Sequence, residues 1–330
     1  MKQWTMFAAL VAGATFACAS VAQSQAPATA TATTPPPRNG TVVDIKPSRI
    51  YLLDIARAGN RLVAVGERGF ALVSDDEGKS WRAVGTPVVR TLTGVAFADS
   101  RIGVAVGHGG SLVRTEDGGD TWSAIPMDDT AGDSLLGVAV LGGGKFAVYG
   151  AFGLYFDSVD GGKTWTRRML LSEEFESHIS QVVQVGDVLW LAGETGALAR
   201  SEDGGATWTA VQSPYAGSFF GMAATKGGAL LLYGMRGSVY RSEDGGTTWL
   251  KIETGTTATF NGGRVLADGR IILVGNAGLV ATSDDDGRSF RIGWSPAGRG
   301  ISSVIEVGDG LIATGEAGVG PLDTGALVKQ

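Results

Sequence analysis

Arg241 to Trp249 reads RSEDGGTTW, and Arg200 to Trp208 reads RSEDGGATW. Four further copies complete the set: SDDEGKSW from Ser74, TEDGGDTW from Thr115, SVDGGKTW from Ser158 and SDDDGRSF from Ser283. Each carries a hydroxyl residue, an aspartate two places on, a glycine, a second hydroxyl residue and a closing aromatic. The aspartates are Asp76, Asp117, Asp160, Asp203, Asp244 and Asp285, spaced by 41, 43, 43, 41 and 41 residues. A fixed period of this length marks a repeat architecture in which each copy is one supersecondary unit.

A second element precedes each copy. An apolar run ends in a glycine corner: LVAVGERG, GVAVGHGG, FAVYGAFG, LWLAGETG, LLLYGMRG, IILVGNAG and LIATGEAG, with first glycines at Gly66, Gly107, Gly150, Gly193, Gly234, Gly275 and Gly315. There are thus seven corners and six acidic turns. The unit from Thr91 divides into four short strands, TLTGVAFA, IGVAVG, SLVRT and WSAIP. Their continuous apolar runs suit strands buried on both faces, and no stretch shows a sustained helical period. Four strands per unit predict an all-β, seven-bladed β-propeller with four-stranded blades. The seventh unit ends as VGPLDTGALVKQ without a fourth strand, while GTVVDIKP (Gly40–Pro47) stands unpaired before the first. Ring closure by that N-terminal strand is therefore expected, with Thr41–Ile45 beside Gly318–Val328, because it leaves no long open edge.

The acidic turn reads as structural. The Ser/Thr hydroxyl and the carboxylate satisfy turn amides, the glycine supplies a positive φ, and the aromatic (Trp81, Trp122, Trp165, Trp208, Trp249 or Phe290) buries its ring between blades. SDDDG at Ser283 lacks the alternating ligands and distant glutamate of a calcium loop, and six copies a blade apart cannot converge on one ion. No metal site and no cofactor motif is expected.

The remaining composition bounds the rest. Lys2, the apolar run Phe7–Phe16 and SVA at Ser20–Ala22 read as a signal peptide over residues 1–22, followed by an Ala/Thr/Pro-rich disordered tether over 23–39 and the propeller over 40–330. The expected location is periplasmic. Acylation of Cys18, the single cysteine, is the minor alternative. The cleaved chain is not expected to be transmembrane, and it would have no thiol for a disulfide, a nucleophile or a metal. The formal charge of −6 argues against nucleic acid as a partner. Fifty-two glycines with 44% hydrophobic residues fit short strands and tight turns rather than disorder.

With these motifs in hand, the chain resembles the Asp-box, or BNR-type, propellers found in sialidases, other glycoside hydrolases and sortilin-type receptors. The pairing of the V-G-x-x-G corner with R-S-x-D-G-G-x-T-W is most similar to the photosystem II stability and assembly factor family. That resemblance implies a non-enzymatic, monomeric scaffold that binds membrane-protein or envelope-complex subunits through an arginine-rich face. The positions to test here are Arg49, Arg68, Arg90, Arg236 and Arg299, on the face shared by the corners and the inter-blade loops. Acids gather on the same face in blades three and four: Asp128, Asp129, Asp133, Glu173, Glu174, Glu176 and Glu194. Fold alone does not fix function, so an Asp-box glycoside hydrolase and a peptide or glycan receptor stand as alternatives. Against a sialidase, Arg49-Ile50 is followed by Tyr51 rather than proline, and Tyr215 in SPYAG has no evident acidic partner. Met169–Ser180, the longest inter-blade loop, with one histidine among its glutamates, is expected to contact a partner or to form a short helical turn at the channel mouth. Finally, Arg264 stands at an inner-strand position that the other blades fill with Ile55, Ala96, Ala139, Val183, Ala223 and Val304. A charge there must be paired or reach the wet channel, where it could hold an anion or a partner's tail.

Overall fold

Residues 39–329 are described by the computed structural model. The expected signal peptide, Cys18 and all of the tether except Asn39 lie outside the described residues. Seven antiparallel sheets follow one another along the chain, and the only helical pieces among the described residues are single 3-10 turns. The innermost strands are Leu52–Ala58, Leu92–Phe97, Leu135–Leu141, Ile179–Val185, Phe219–Ala224, Phe260–Val265 and Ile301–Val307. The all-β, seven-bladed expectation holds. The second strands are buried along almost their whole length, which is why their sequences (LVAVG, GVAVG, IILVG) do not alternate.

Seven apolar clusters fill the seven seams between blades. The seam between blades one and two holds Val65, Val73, Leu92, Val95 and Trp122, and that between five and six holds Leu231, Phe260, Leu273 and Phe290. Each closing aromatic lies in the seam before its own blade, and Trp122 is 1% exposed. The corner glycines have a different cause. A Cβ at Gly66 would sit 2.1 Å from the Tyr51 carbonyl oxygen, so only glycine lets the second strand pass the start of the first.

The acidic turns satisfy themselves. In the fifth, the Ser242 hydroxyl donates to Asp244 Oδ1 (2.8 Å), Thr248 N–H donates to the same oxygen (2.8 Å), and the Thr248 hydroxyl donates to Oδ2 (2.6 Å). Gly246 N–H donates to Ser242 Oγ, and Trp249 Nε1–H donates to the Gly246 carbonyl. The same carboxylate bonds recur at Asp76, Asp117, Asp160, Asp203 and Asp285. Hydroxyl and then amide donation from the following Ser or Thr lowers Asp76, Asp203 and Asp244 to about 2. Among the described residues no group of three or more His, Cys, Asp or Glu side chains could hold a metal ion.

Ring closure differs from the expectation. The N-terminal strand Val42–Val43 pairs with Arg82–Gly85 and becomes a fifth strand of blade one, leaving blade seven with three strands. It does not pair with Gly318–Val328. The Arg82–Gly85 strand presents an open edge that Gly40 and Thr41 complete through Gly85 (3.1 Å each way). Val43 and Ile45 then pack into the seam of blades seven and one with Ile305, Ile312 and Val319. The segment seals the ring by side-chain burial rather than by a shared ladder. The C-terminal tail crosses to blade six, where Trp294 and Val328 exchange backbone hydrogen bonds of 2.9 and 3.0 Å. Leu322 and Leu327 occupy the seam of blades six and seven, the one seam without a turn aromatic.

Candidate functional site: the loop face and its free arginines

Connections between blades and the 3-10 corners share one end of the ring. Arg49 ends the short turn Pro47–Arg49 and is exposed. Arg68 and Arg236 occupy the same place in the corners of blades one and five, with φ of 61° and 56°. The left-handed region costs a non-glycine residue about 1 kcal/mol, and it turns both side chains out to solvent. Arg90 lies in the connection from blade one to blade two, its guanidinium against Gly109 of the next corner. Arg299 is exposed in the connection from blade six to blade seven, beside a hollow of about 140 Å³ that also touches Thr314 and Gly318. The five form an arc over blades five, six, seven, one and two.

Pairing separates these residues from the rest. Arg68 reaches Glu67 only at 4.0 Å, and Arg49, Arg90, Arg236 and Arg299 make no side-chain hydrogen bond or ion pair among the described residues. Arginines at the acidic-turn end are occupied: Arg61 bonds Asp75 (2.6 Å), Arg114 bonds Glu116 (2.5 Å), Arg241 bonds Glu243 and Asp286, and Arg291 bonds Asp284 (2.5 Å). Several also stitch neighbouring turns together, as where Arg114 Nε–H donates to the Gly161 carbonyl and Arg241 Nε–H to the Asp286 carbonyl. Arg57, Arg101, Arg167, Arg168 and Arg200 each bond a carboxylate or a carbonyl. The sixth candidate, Arg264, is free as well, but it stands on an innermost strand away from the arc. The strand register places Ala56 and Ile305 level with it, rather than Ile55 and Val304, because the first strand turns are one residue shorter in blades one and seven.

The opposite arc carries the acids. Asp128, Asp129, Glu173, Glu174 and Glu176 are exposed, and Asp133 and Glu194 are half-buried. The loop Met169–Ser180 forms no helical turn. Leu170, Leu171 and Phe175 are drawn into the seam of blades three and four, which fixes the loop there. A cleft of about 580 Å³ remains beside it, bordered by Phe152, Arg168, Met169, Glu173 and Phe175. His178 Nδ1 accepts the Phe152 N–H (3.2 Å) and its ring meets the Phe152 edge, which is a packing role. Tyr215 stacks on Tyr240 and packs edge-on to Phe219 within the seam of blades four and five. The sequence reading missed Lys46, exposed beside Arg49, and the exposed Phe152 and Met235, whereas Met169, also exposed, lies in the loop it expected to contact a partner. The corner position was a usable signal for Phe152, since the other corners except that of blade two also expose their second residue.

The ring, its self-contained acidic turns and its one face of unpaired arginines define a seven-bladed β-propeller. The family model described as photosynthesis system II assembly factor YCF48 matches residues 133–304, just over half of the chain. The chain belongs to that family. Among solved structures it is similar to one of YCF48 bound to D1 peptide, with 19% identity, a TM-score of 0.69, and coverage of 84% of this chain and 96% of that one. YCF48 from Cyanidioschyzon merolae is similar at 17% identity, a TM-score of 0.67, and coverage of 83% and 96%. The WD40 propeller domain of Doa1 is also similar, at 13% identity, a TM-score of 0.66, and coverage of 86% and 95%. No curated protein matches the sequence significantly.

Proposed function

We propose that the protein is an exported, non-enzymatic assembly factor that grips a carboxylate-bearing segment of a membrane-protein subunit on its arginine arc. The observation that carries this reading is the asymmetry of pairing: the loop-face arginines are unsatisfied while those of the turn face are bonded. Guanidinium groups suit bidentate capture of carboxylates, and an unpaired group need not break an existing bond to bind. A relative solved with a D1 peptide supports a peptide as the kind of ligand. The signal-like N-terminus supports a periplasmic location, tested by cell fractionation. No cofactor is assigned a role, and the Asp-box character of the turns serves the fold. The test is binding of a synthetic D1 peptide to the wild type and to a variant with Arg49, Arg68, Arg90 and Arg299 changed to Glu. Salt-sensitive binding lost in the variant supports the reading. Equal binding by the two proteins overturns it.

A further inference from the structure

The acid-rich arc of the loop face carries a groove that the arginine arc does not use. It lies where the corner of blade three meets the loop to blade four, and Phe152, Met169, Leu170, Glu173, Phe175 and Glu176 border it. Its volume of about 580 Å³ falls within the range of ligand clefts, about 300–1,000 Å³. The groove is held in shape from below and from the side. Leu170, Leu171 and Phe175 pack into the seam of blades three and four and anchor the loop. The Gly153 N–H donates to the Ser177 carbonyl (3.1 Å), and a Cβ at Gly153 would sit 2.3 Å from the Phe175 carbonyl oxygen, so loop and corner are in direct contact.

Two apolar side chains on the border face solvent: Phe152 is 52% exposed and Met169 63%. Phe152 also holds a φ of 50°, a backbone region that disfavours bulky residues. The same corner position carries Arg68, Gly109, Thr195, Arg236 and Ala277 in blades one, two, four, five and six. An aromatic there adds little to the core, yet its ring is steadied by an edge contact with His178, centroids 4.8 Å apart. Exposed apolar groups placed at a strained position point to binding rather than packing. The surrounding charge selects the occupant. Glu173, Glu174 and Glu176 on the loop, and Asp128 and Asp129 on the preceding connection, are exposed, and their carboxylates make no hydrogen bond or ion pair among the described residues. The arginines of the groove are engaged: Arg168 shares buried Asp157 with Lys145 (3.2 and 2.8 Å), and Arg167 Nη1–H donates to the Asp129 carbonyl (3.1 Å). The free carboxylates outnumber these cations, and the rim attracts positive charge.

We propose that this groove docks a short basic segment of a partner protein. An apolar side chain of that segment seats against Phe152 and Met169, and its lysines or arginines lie toward the free carboxylates. Apolar contact gives the anchor, and the acids discriminate against segments of the wrong sign. The groove is separate from the arginine arc and takes a ligand of opposite charge, so it stands whether or not the arc binds a carboxylate.

The probe is a labelled, end-blocked peptide with lysines on both sides of a leucine–phenylalanine–leucine centre, measured by fluorescence anisotropy on the purified protein at low salt. Two comparison peptides replace the lysines by glutamates or the centre by alanines, and the wild type is expected to prefer the first. Phe152→Gly is expected to fold, since glycine stands there in blade two, and to weaken binding about tenfold. Glu173→Gln combined with Glu176→Gln, both on the surface, should weaken it about fivefold to tenfold and flatten its salt dependence. The variant with Arg49, Arg68, Arg90 and Arg299 changed to Glu should bind this peptide no more weakly than the wild type, which keeps the result apart from that of the arginine arc. Equal or absent binding of the three peptides, or wild-type affinity retained in both groove variants, overturns the proposal. Self-association of the wild type in sedimentation that Phe152→Gly abolishes would assign the groove to a second copy and overturns it as well.

Discussion

Replacing Arg68 and Arg236 together by glycine separates binding from folding. Both residues hold a positive φ, 61° and 56°, which costs a non-glycine residue about 1 kcal/mol. Glycine removes that strain but loses about 0.5–1 kcal/mol more conformational entropy on folding. The two effects nearly cancel, and Arg236 forms no pair while Arg68 has only a 4.0 Å contact with Glu67. Stability is therefore expected to change by no more than about 0.5 kcal/mol per site, or roughly 1–2 °C in Tm for a chain of this size. Binding should respond very differently. An exposed guanidinium–carboxylate contact contributes about 1 kcal/mol, so losing two weakens affinity by about 2 kcal/mol, or roughly 30-fold. The assay is fluorescence anisotropy with a labelled D1 peptide at low salt, paired with thermal melts. Ala277→Gly, at the same corner position of blade six with φ of 55°, is the control and should bind as the wild type. Unchanged affinity in a double variant of unchanged Tm would refute the arginine arc as the binding surface. A fall in Tm of more than about 5 °C would show that these side chains serve the fold.

Acid is expected to loosen the ring between pH 4 and pH 2. Asp76, Asp203, Asp244 and Asp285 titrate at about 2 when folded against 3.8 in the unfolded chain. Their stabilisation is thus complete above 3.8 and is lost as pH falls through 2, and thermal melts with no decline over that window would contradict it. Trp122→Ala removes a fully buried ring, its Nε1–H bond to the Gly119 carbonyl and an edge contact with Phe97; a loss of about 3–5 kcal/mol is expected in denaturant unfolding. Tyr155→Phe should raise stability by about 1 kcal/mol, because the Tyr155 hydroxyl is buried without a hydrogen-bond partner; a lowered midpoint would count against that. Deleting residues 39–46 removes the fifth strand of blade one and takes Val43 and Ile45 out of the closing seam. Amide exchange should then rise in Leu52–Ala58 and Ile301–Val307 while blades three to five keep their protection.

The seven glycine corners, read with the period of the six acidic turns, were sufficient to count the blades, because each corner joins the second and third strands of one blade. The same logic exposed the seventh blade as the irregular one. The sequence reading also named Arg49, Arg68, Arg90, Arg236, Arg264 and Arg299, and among the described residues these are the arginines left without a strong partner. The reason is local: the others lie at strand ends beside the acidic turns, where a carboxylate or a carbonyl is always within reach. Those beside glycine corners and in inter-blade loops have no repeated acid to meet.

The sequence by itself determined the blade count, the strand pattern and the structural character of RSEDGGTTW. Those features depend on contacts within one repeat, which the chain writes down as spacing. Only the tertiary structure decided how the ring closes and what faces its axis. Val42–Val43 could pair with either of two open edges, and the choice of blade one depends on where Val43 and Ile45 bury their side chains. Likewise, Asp54 and Arg264 lie 210 positions apart in the chain, and only closure of seven blades lets Ser303 bond the Asp54 carboxylate and brings that carboxylate within range of the Arg264 charge.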